Sequence, residues 1–148
     1  MKLMVLEPLG AEQEKLLDMV EKAVDGRMEV VAYDTRVEDV PTLIERSREA
    51  DAVILSNFPY RREVMEHCPN LKYINVAFTG VDHVDLAYCR ERGITVSNCA
   101  GYSTAAVADL VFGMVIALGR NLGTCDEVAR RGGTKNGLVG FELEGKKL

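Results

Sequence analysis

The sequence predicts an α/β protein with a five-stranded parallel sheet and flanking helices. Short apolar runs alternate with amphipathic segments over residues 2 to 97, the pattern of β-α units that build a parallel sheet. Gly, Asp and Pro separate these segments, as they do at the ends of helices and strands. Residues 103–120 differ, because the apolar residues of this segment would be spread around the whole circumference of a helix. One long helix is therefore predicted to follow the sheet.

Residues 2–67 divide into three strand–helix pairs. Asp25-Gly26 closes the first helix, because glycine tolerates the left-handed conformation that ends many helices. Pro41 fits the first turn of the second helix, in which Leu43 and Ile44 are the predicted buried positions. The predicted elements are, in order, strand 2–6, helix 11–24, strand 28–33, helix 40–50, strand 51–55 and helix 61–67.

Residues 71–109 contain two further strands and the turns that follow them. The apolar run 73–78 is predicted to be a buried strand that stops at Gly80, where glycine allows a backbone conformation closed to other residues. Asp82 and Asp85 are the predicted side-chain acceptors for the first N–H groups of the next helix. That helix is predicted to end at Gly93, with strand 94–96 and turn 98–101 after it.

The predicted strand order is the flavodoxin-like 2-1-3-4-5, with right-handed crossovers. In such a sheet the loops at the carboxyl ends of the strands share one rim, which is where open α/β sheets bind ligands. The loops expected there are Glu7-Pro8, Ser56-Asn57, Phe78–Gly80 and Asn98–Tyr102.

Several short motifs in a fixed order resemble the D-isomer-specific 2-hydroxyacid dehydrogenases. They are Phe78-Thr79-Gly80-Val81-Asp82-His83-Val84-Asp85, then Arg92-Gly93-Ile94, Asn98, Tyr102-Ser103 and Val107-Ala108-Asp109. The resemblance runs from about residue 50 to residue 148, with a looser match before it. Two positions depart from the family pattern, since Asp109 stands where relatives usually carry Glu and no Trp lies near Thr134.

The resemblance implies two regions with different tasks. Residues 1–100 would form the substrate-binding, flavodoxin-like unit. Residues 101–148 would form a crossover helix, an arm and the lead-in to an NAD-binding Rossmann domain. The helix Ser103–Arg120 would also form the interface of a homodimer. Residues 123–140 are predicted to be an arm or loop, because they are rich in glycine and poor in apolar residues.

The resemblance also assigns candidate site residues. It implies a small 2-hydroxy or 2-keto acid as the substrate and NAD or NADP as the cofactor of the full-length protein. The backbone N–H groups around Thr79 and Gly80 would hold the substrate carboxylate. The substrate candidates are Asn57, Phe78, Thr79, Gly80 and Tyr102, and the cofactor candidates are Thr79, Thr104 and Val107.

No catalytic residue is assigned within this chain. In the family a His base, its Glu partner and an Arg cation all lie beyond the point where this sequence ends. Local hydrogen bonding at a helix start explains His83 better than catalysis does. No G-x-G-x-x-G motif occurs, so the chain by itself is expected to be inactive and to bind no cofactor tightly. The alternative is a non-catalytic, dimeric module that binds small carboxylates or another protein.

Composition excludes other classes of function. A net charge of −5 and a pI near 5.1 argue against a nucleic-acid partner. The four cysteines show no C-x-x-C spacing, which indicates reduced thiols in a cytoplasmic protein and no metal site. The apolar stretch 105–118 is too short for a membrane span and is expected to be buried.

Overall fold

A computed structural model describes residues 1–147, which fall into two compact units, Met1–Tyr102 and residues 103–147. The first unit holds all five strands and the first four helices. The strands are β1 (Lys2–Val5), β2 (Glu29–Ala32), β3 (Ala52–Leu55), β4 (Tyr73–Val76) and β5 (Thr95–Asn98). The helices are α1 (Gln13–Val24), α2 (Val40–Ser47), α3 (Arg62–Met65) and α4 (Leu86–Arg92), followed in the second unit by α5 (Thr104–Gly119) and α6 (Leu122–Arg130).

The five strands form one parallel sheet in the order β2-β1-β3-β4-β5, which confirms the predicted topology. At the carboxyl ends of the strands, Leu55 of β3 pairs with Val76 of β4, which in turn pairs with Asn98 of β5. The carboxyl ends of these three strands are thus level, and the loops that follow them start at one edge of the sheet.

Local capping sets the helix boundaries in the first unit. The Asp39 carboxylate accepts the Thr42 N–H at 2.9 Å, and the Asp85 carboxylate accepts the Tyr88 N–H at 2.9 Å. Gly93 ends α4 with a φ of 68°. The predicted capping role of Asp82 is wrong, because α4 begins at Leu86 and only Asp85 lies close enough to its first turn.

The hydrophobic core lies between the sheet and its helices in the first unit. Val53, Leu55, Ile74 and Val76 are completely buried at its centre. Of the two predicted buried positions in α2, Leu43 is completely buried but Ile44 is only half-buried. Ser47 takes the second buried position instead, and its hydroxyl donates to the Leu43 carbonyl at 2.6 Å, which satisfies the buried group.

The second unit corrects the prediction of a loop over residues 123–140. Residues 122–130 form α6, with Leu122, Cys125 and Val128 at helical spacing and an ion pair of 2.8 Å between Arg130 and Asp126. Gly123 is exposed in the first turn, where it costs the helix little. Glycine content therefore misled the prediction, since the irregular part begins only after Arg131.

The long helix α5 has the predicted extent but is not buried. Among its described residues only Gly119 is buried, whereas Leu110 is 61% exposed and Leu118 is 78% exposed. Within residues 1–147 no single helix is long and apolar enough to cross a membrane, and α5 and α6 meet that test only as a pair bent by 60°.

Candidate functional site

The carboxyl ends of the strands carry polar and irregular segments at one edge of the sheet. Glu7 lies just beyond β1, Ser56 and Asn57 follow β3, and residues 77–81 follow β4. The loop after β5 begins at Cys99 and contains a turn centred on Gly101, whose φ of 92° is one that side-chain-bearing residues rarely adopt. Polar groups from four segments far apart in sequence therefore meet at this edge.

The loop after β4 is tied down through its carbonyl groups. The Thr79 carbonyl accepts the Asn98 Nδ2–H at 2.6 Å, and the Phe78 carbonyl accepts the Cys99 N–H at 3.0 Å. In contrast, none of the N–H groups of residues 78–82 donates a hydrogen bond within the part of the chain that the structure describes. Because the acceptors are used and the donors are free, this loop offers a row of N–H groups to an anion.

The same loop is open to solvent in its own unit. Phe78 is 39% exposed, Thr79 is exposed and Gly80 is half-buried. The predicted reason for the glycine is wrong, since Gly80 does not have a positive φ. A methyl group at Gly80 would instead lie 3.0 Å from Asp82 Oδ1, so the residue leaves room for that carboxylate beside the loop.

A hydrogen-bonded network joins the ends of β1 and β3. The Glu7 carboxylate is 2% exposed, and it accepts the Ser56 N–H at 2.7 Å and the Arg36 Nη1–H at 3.0 Å. Arg36 Nη1 also donates to Asn57 Oδ1 at 2.6 Å. Arg36 further donates to the Glu38 carboxylate, which raises the pKa of the guanidinium and keeps it fully charged.

His83 lies near this network and is buried. Its side chain is 8% exposed, and Nε2 has no partner among the described residues. Burial lowers the pKa of His83, and the nearby Asp82 carboxylate offsets this only in part. The His83 carbonyl accepts the Tyr60 N–H at 2.9 Å, which holds the segment against the core.

Comparison with known protein families shows which family the chain with this sheet edge belongs to. The model of the D-isomer specific 2-hydroxyacid dehydrogenase catalytic domain matches residues 3–141. The chain belongs to this family. The family therefore accounts for almost the whole chain, from β1 through the residues that follow α6.

Individual dehydrogenases and reductases are similar over nearly the same range. A D-3-phosphoglycerate dehydrogenase of Methanocaldococcus jannaschii is 33% identical over 149 residues, which cover 99% of this chain and 27% of that protein. A hydroxypyruvate reductase of Blautia hydrogenotrophica is 32% identical over 116 residues, 78% of this chain and 36% of that protein. An acyclic imino acid reductase solved with NADPH and D-Arg superposes with a TM-score of 0.82 at 26% identity, covering 97% of this chain and 46% of that one. The chain thus spans less than half the length of these relatives.

The dehydrogenase site residues predicted from sequence fall in both units. Asn57, Phe78, Thr79 and Gly80 lie on adjoining loops of the first unit, at the ends of the paired strands β3 and β4. Tyr102 ends that unit and is 64% exposed, and its N–H donates to the Cys99 carbonyl at 3.4 Å. The other two candidates, Thr104 and Val107, belong to the first turn of α5 in the second unit, and both are exposed.

Sequence reasoning missed three residues of this dehydrogenase edge. Glu7 and Asn98 were placed at the rim as parts of loops but given no role of their own, and Arg36 was not singled out. One signal was available for Glu7, because an acid directly after a buried strand must find partners or remain solvated. No local signal marks Arg36, whose partners Glu7 and Asn57 are 29 and 21 residues away in sequence.

Proposed function

We propose that this chain is the substrate-binding part of an NAD(P)-dependent oxidoreductase that acts on the CH–OH group of a small D-2-hydroxy acid. The observation that carries the proposal is the row of free N–H groups at residues 78–82, at the carboxyl end of an inner strand. The names of the relatives support the substrate class, since hydroxypyruvate is a small 2-keto acid.

A small carboxylate matches this loop because its oxygens only accept hydrogen bonds. Fixed main-chain donors bind such an anion without reorganising, and they need no buried cation beside it. In the proposed arrangement Thr79 and Gly80 hold the carboxylate, Phe78 forms an apolar wall, and Asn57 and Tyr102 supply polar side chains at the rim. Substrate binding is then the task of the first unit.

Hydride transfer requires more than this loop. A nicotinamide, when bound, exchanges the hydride, and a proton donor or acceptor must serve the substrate oxygen. In this proposal Thr79, Thr104 and Val107 are the residues of this chain that bind the cofactor. The sequence has no G-x-G-x-x-G motif to cradle a dinucleotide diphosphate, and His83 is too buried to reach a substrate. We therefore expect no catalytic turnover and no tight NAD binding by the chain alone.

The second unit is proposed to provide a crossover helix and a homodimer interface through Ser103–Arg120. The large apolar side chains of α5 are exposed around its circumference, with Leu110 at 61% and Phe112 at 54%. An apolar surface of this kind marks an interaction site in a water-soluble protein. The free cysteines are consistent with the proposed cytoplasmic location.

Glyoxylate is the probe that tests carboxylate binding. In ¹⁵N–¹H correlation spectra of the labelled chain, the backbone amides of residues 78–82 should shift on titration with glyoxylate. Asn98→Ala should weaken binding about fivefold, because the lost hydrogen bond of about 1 kcal/mol frees the Thr79 carbonyl and loosens the loop. Asn70→Ala, an exposed asparagine after α3, is the matched control. Unshifted amides at residues 78–82 would remove the basis of the proposal.

Sedimentation tests the interface. The chain should form dimers, and Leu110→Lys should shift it toward monomer because it places a charge in the proposed contact. Met19→Lys, at a residue that is 59% exposed on α1, should leave the dimer intact. A clean monomer of the parent chain at high concentration would contradict the proposed interface.

A non-catalytic module that dimerises and binds small carboxylates is the second candidate. The exposed apolar surface of α5 favours it. NADH separates the two candidates, since the enzyme-derived part should show shifts at Thr79, Thr104 and Val107 at high NADH concentration and the module should not. NADH oxidation by the pure chain with glyoxylate, hydroxypyruvate or pyruvate would contradict both.

A further inference from the structure

We infer that Arg36, anchored by the buried carboxylate of Glu7, is a positioning residue that fixes the Asn57 amide with its NH₂ group toward the proposed site. This inference rests on the proposed function and deepens it. The locked amide presents only N–H donors at its own position on the rim, which there favours a carbonyl or carboxylate oxygen over an ammonium group.

The anchor of the arrangement is Glu7. Its carboxylate is 2% exposed, and a buried charge is costly unless each oxygen has a partner. Oε1 accepts the Ser56 N–H at 2.7 Å, and Oε2 accepts the Arg36 Nη1–H at 3.0 Å. The carboxylate therefore holds the backbone at the end of β3 and the guanidinium at the same time.

Three further contacts set the plane of the Arg36 guanidinium. Its Nε and Nη2 both donate to Glu38 Oε1, at 2.9 and 2.7 Å. Its Cζ lies 5.9 Å from the centre of the Phe58 ring, which is completely buried. With the Glu7 contact, these leave the guanidinium little freedom, although its side chain is 41% exposed.

The orientation of the Asn57 amide follows from the chemistry of arginine. A guanidinium has donors and no acceptor, so the Asn57 atom 2.6 Å from Arg36 Nη1 must be the oxygen. The NH₂ group then points away from Arg36, and it has no partner among the described residues. An unrestrained asparagine could present either its oxygen or its NH₂ group, whereas this one can present only N–H donors.

These donors lie at the end of β3, beside the free N–H groups that follow its neighbour β4. Both sets are donors, so a ligand that bridges them must carry acceptor atoms at both ends. Glyoxylate has a carboxylate and a carbonyl oxygen, but glycine, which has the same carbon skeleton, carries an ammonium group instead of the carbonyl. The geometry therefore predicts a preference for the 2-keto acid over the 2-amino acid.

The test uses the full ¹⁵N-labelled chain with glyoxylate and glycine as probes. In the parent, the Asn57 side-chain NH₂ resonances should shift with glyoxylate in parallel with the amides of residues 78–82. The double variant Glu7→Gln/Arg36→Met removes the positioning cation without leaving a buried charge. It should weaken glyoxylate binding about fivefold, the equivalent of one hydrogen bond of about 1 kcal/mol, and lower the preference over glycine.

Two further variants make the result specific. Arg36→Lys keeps a donor and should restore most of the glyoxylate affinity, and Arg48→Met, at an exposed arginine after α2, should bind as the parent does. Asn57→Asp keeps the partner of Arg36 but removes the outward donors, so it should lose affinity at least as strongly as the double variant. This variant decides the question if the double variant fails to fold.

The outcomes separate the two proposals. If residues 78–82 shift with glyoxylate but the double variant and Asn57→Asp both bind like the parent, the positioning role of Arg36 is wrong and the proposed function stands. If residues 78–82 do not shift in the parent, carboxylate binding and the positioning role are both wrong.

Discussion

The two units of the chain differ in how far their apolar side chains are buried. In Met1–Tyr102 the apolar residues of the central strands and of α2 and α3 are packed into one core, with Leu55, Phe58 and Tyr60 completely buried. In residues 103–147 the most apolar helix of the chain has only Gly119 buried. Apolar residues thus build a closed core in one unit and an open apolar surface in the other.

The difference shows what each unit needs for its stability. Strands that pair side by side give α2, α3 and α4 a surface to pack on, so the core of the first unit is buried internally even though α1 has no buried residue. A single long helix followed by a short one cannot surround itself, and its apolar side chains need a further covering surface. We expect the first unit to resist single surface changes and the second to respond to whatever covers α5.

The largest expected effect breaks the core of the first unit. Leu55→Ala should lower the free energy of unfolding by about 3 kcal/mol, because it removes a completely buried side chain and leaves a cavity. Leu118→Ala, at a leucine that is 78% exposed, should cost less than about 0.5 kcal/mol in the monomer. Urea unfolding followed by circular dichroism measures both, and equal losses would show that α5 is buried in solution.

An intermediate effect is expected at the tightest contact of the second unit. A methyl group at Gly140 would lie 1.9 Å from the Gly119 carbonyl oxygen, which also accepts the Phe141 N–H at 2.8 Å. Gly140→Ala should therefore destabilise this contact by about 2 kcal/mol and speed hydrogen exchange at Phe141. Gly113→Ala is the control, since a methyl group there meets nothing within 4 Å. Unchanged exchange at Phe141 in Gly140→Ala would mean that this close contact is absent in solution.

The smallest expected effect is a pH dependence of the free energy of unfolding, which His83 gives to the first unit alone. Burial lowers the pKa of His83 below its usual 6.5, so the unfolded chain binds a proton that the folded chain does not. The contribution of His83 to the free energy of unfolding should be complete above about pH 6.5. It should fall as the pH drops from there toward the lowered pKa of the folded state. Urea midpoints at pH 7.5 and 5.5 should differ less in His83→Asn than in the parent.

His67→Asn is the control for that measurement, because His67 is exposed. The second unit has no histidine, so this pH dependence should be confined to the first unit. If His83→Asn and the parent lose stability equally between the two pH values, the imidazole is not buried in the neutral form.

Much of the architecture could be predicted from local patterns. The strands and most helix boundaries followed from apolar periodicity and from turn residues such as Asp25, Asp85 and Gly93, whose effects act within a few residues. The strand order followed from the usual topology of alternating strands and helices. The same local reasoning failed at α6, because glycine content outweighed a weak helical pattern around Cys125. It also failed at Gly80, where a left-handed turn was expected from the residue type and the backbone does not adopt it.

By itself, the sequence determined the parallel sheet, the long apolar helix and the position of a turn after β4, because these depend on the order of apolar and turn-forming residues. Only the tertiary structure decided which groups at the sheet edge remain free. The N–H groups of residues 78–82 are available because Asn98 and Cys99 hold the loop through its carbonyls. The Asn57 amide oxygen is engaged because Arg36 donates to it and Glu7, from a third segment, holds Arg36. Hydrogen bonds between distant segments leave no periodic trace in a sequence, so this selection becomes visible only when the chain is folded.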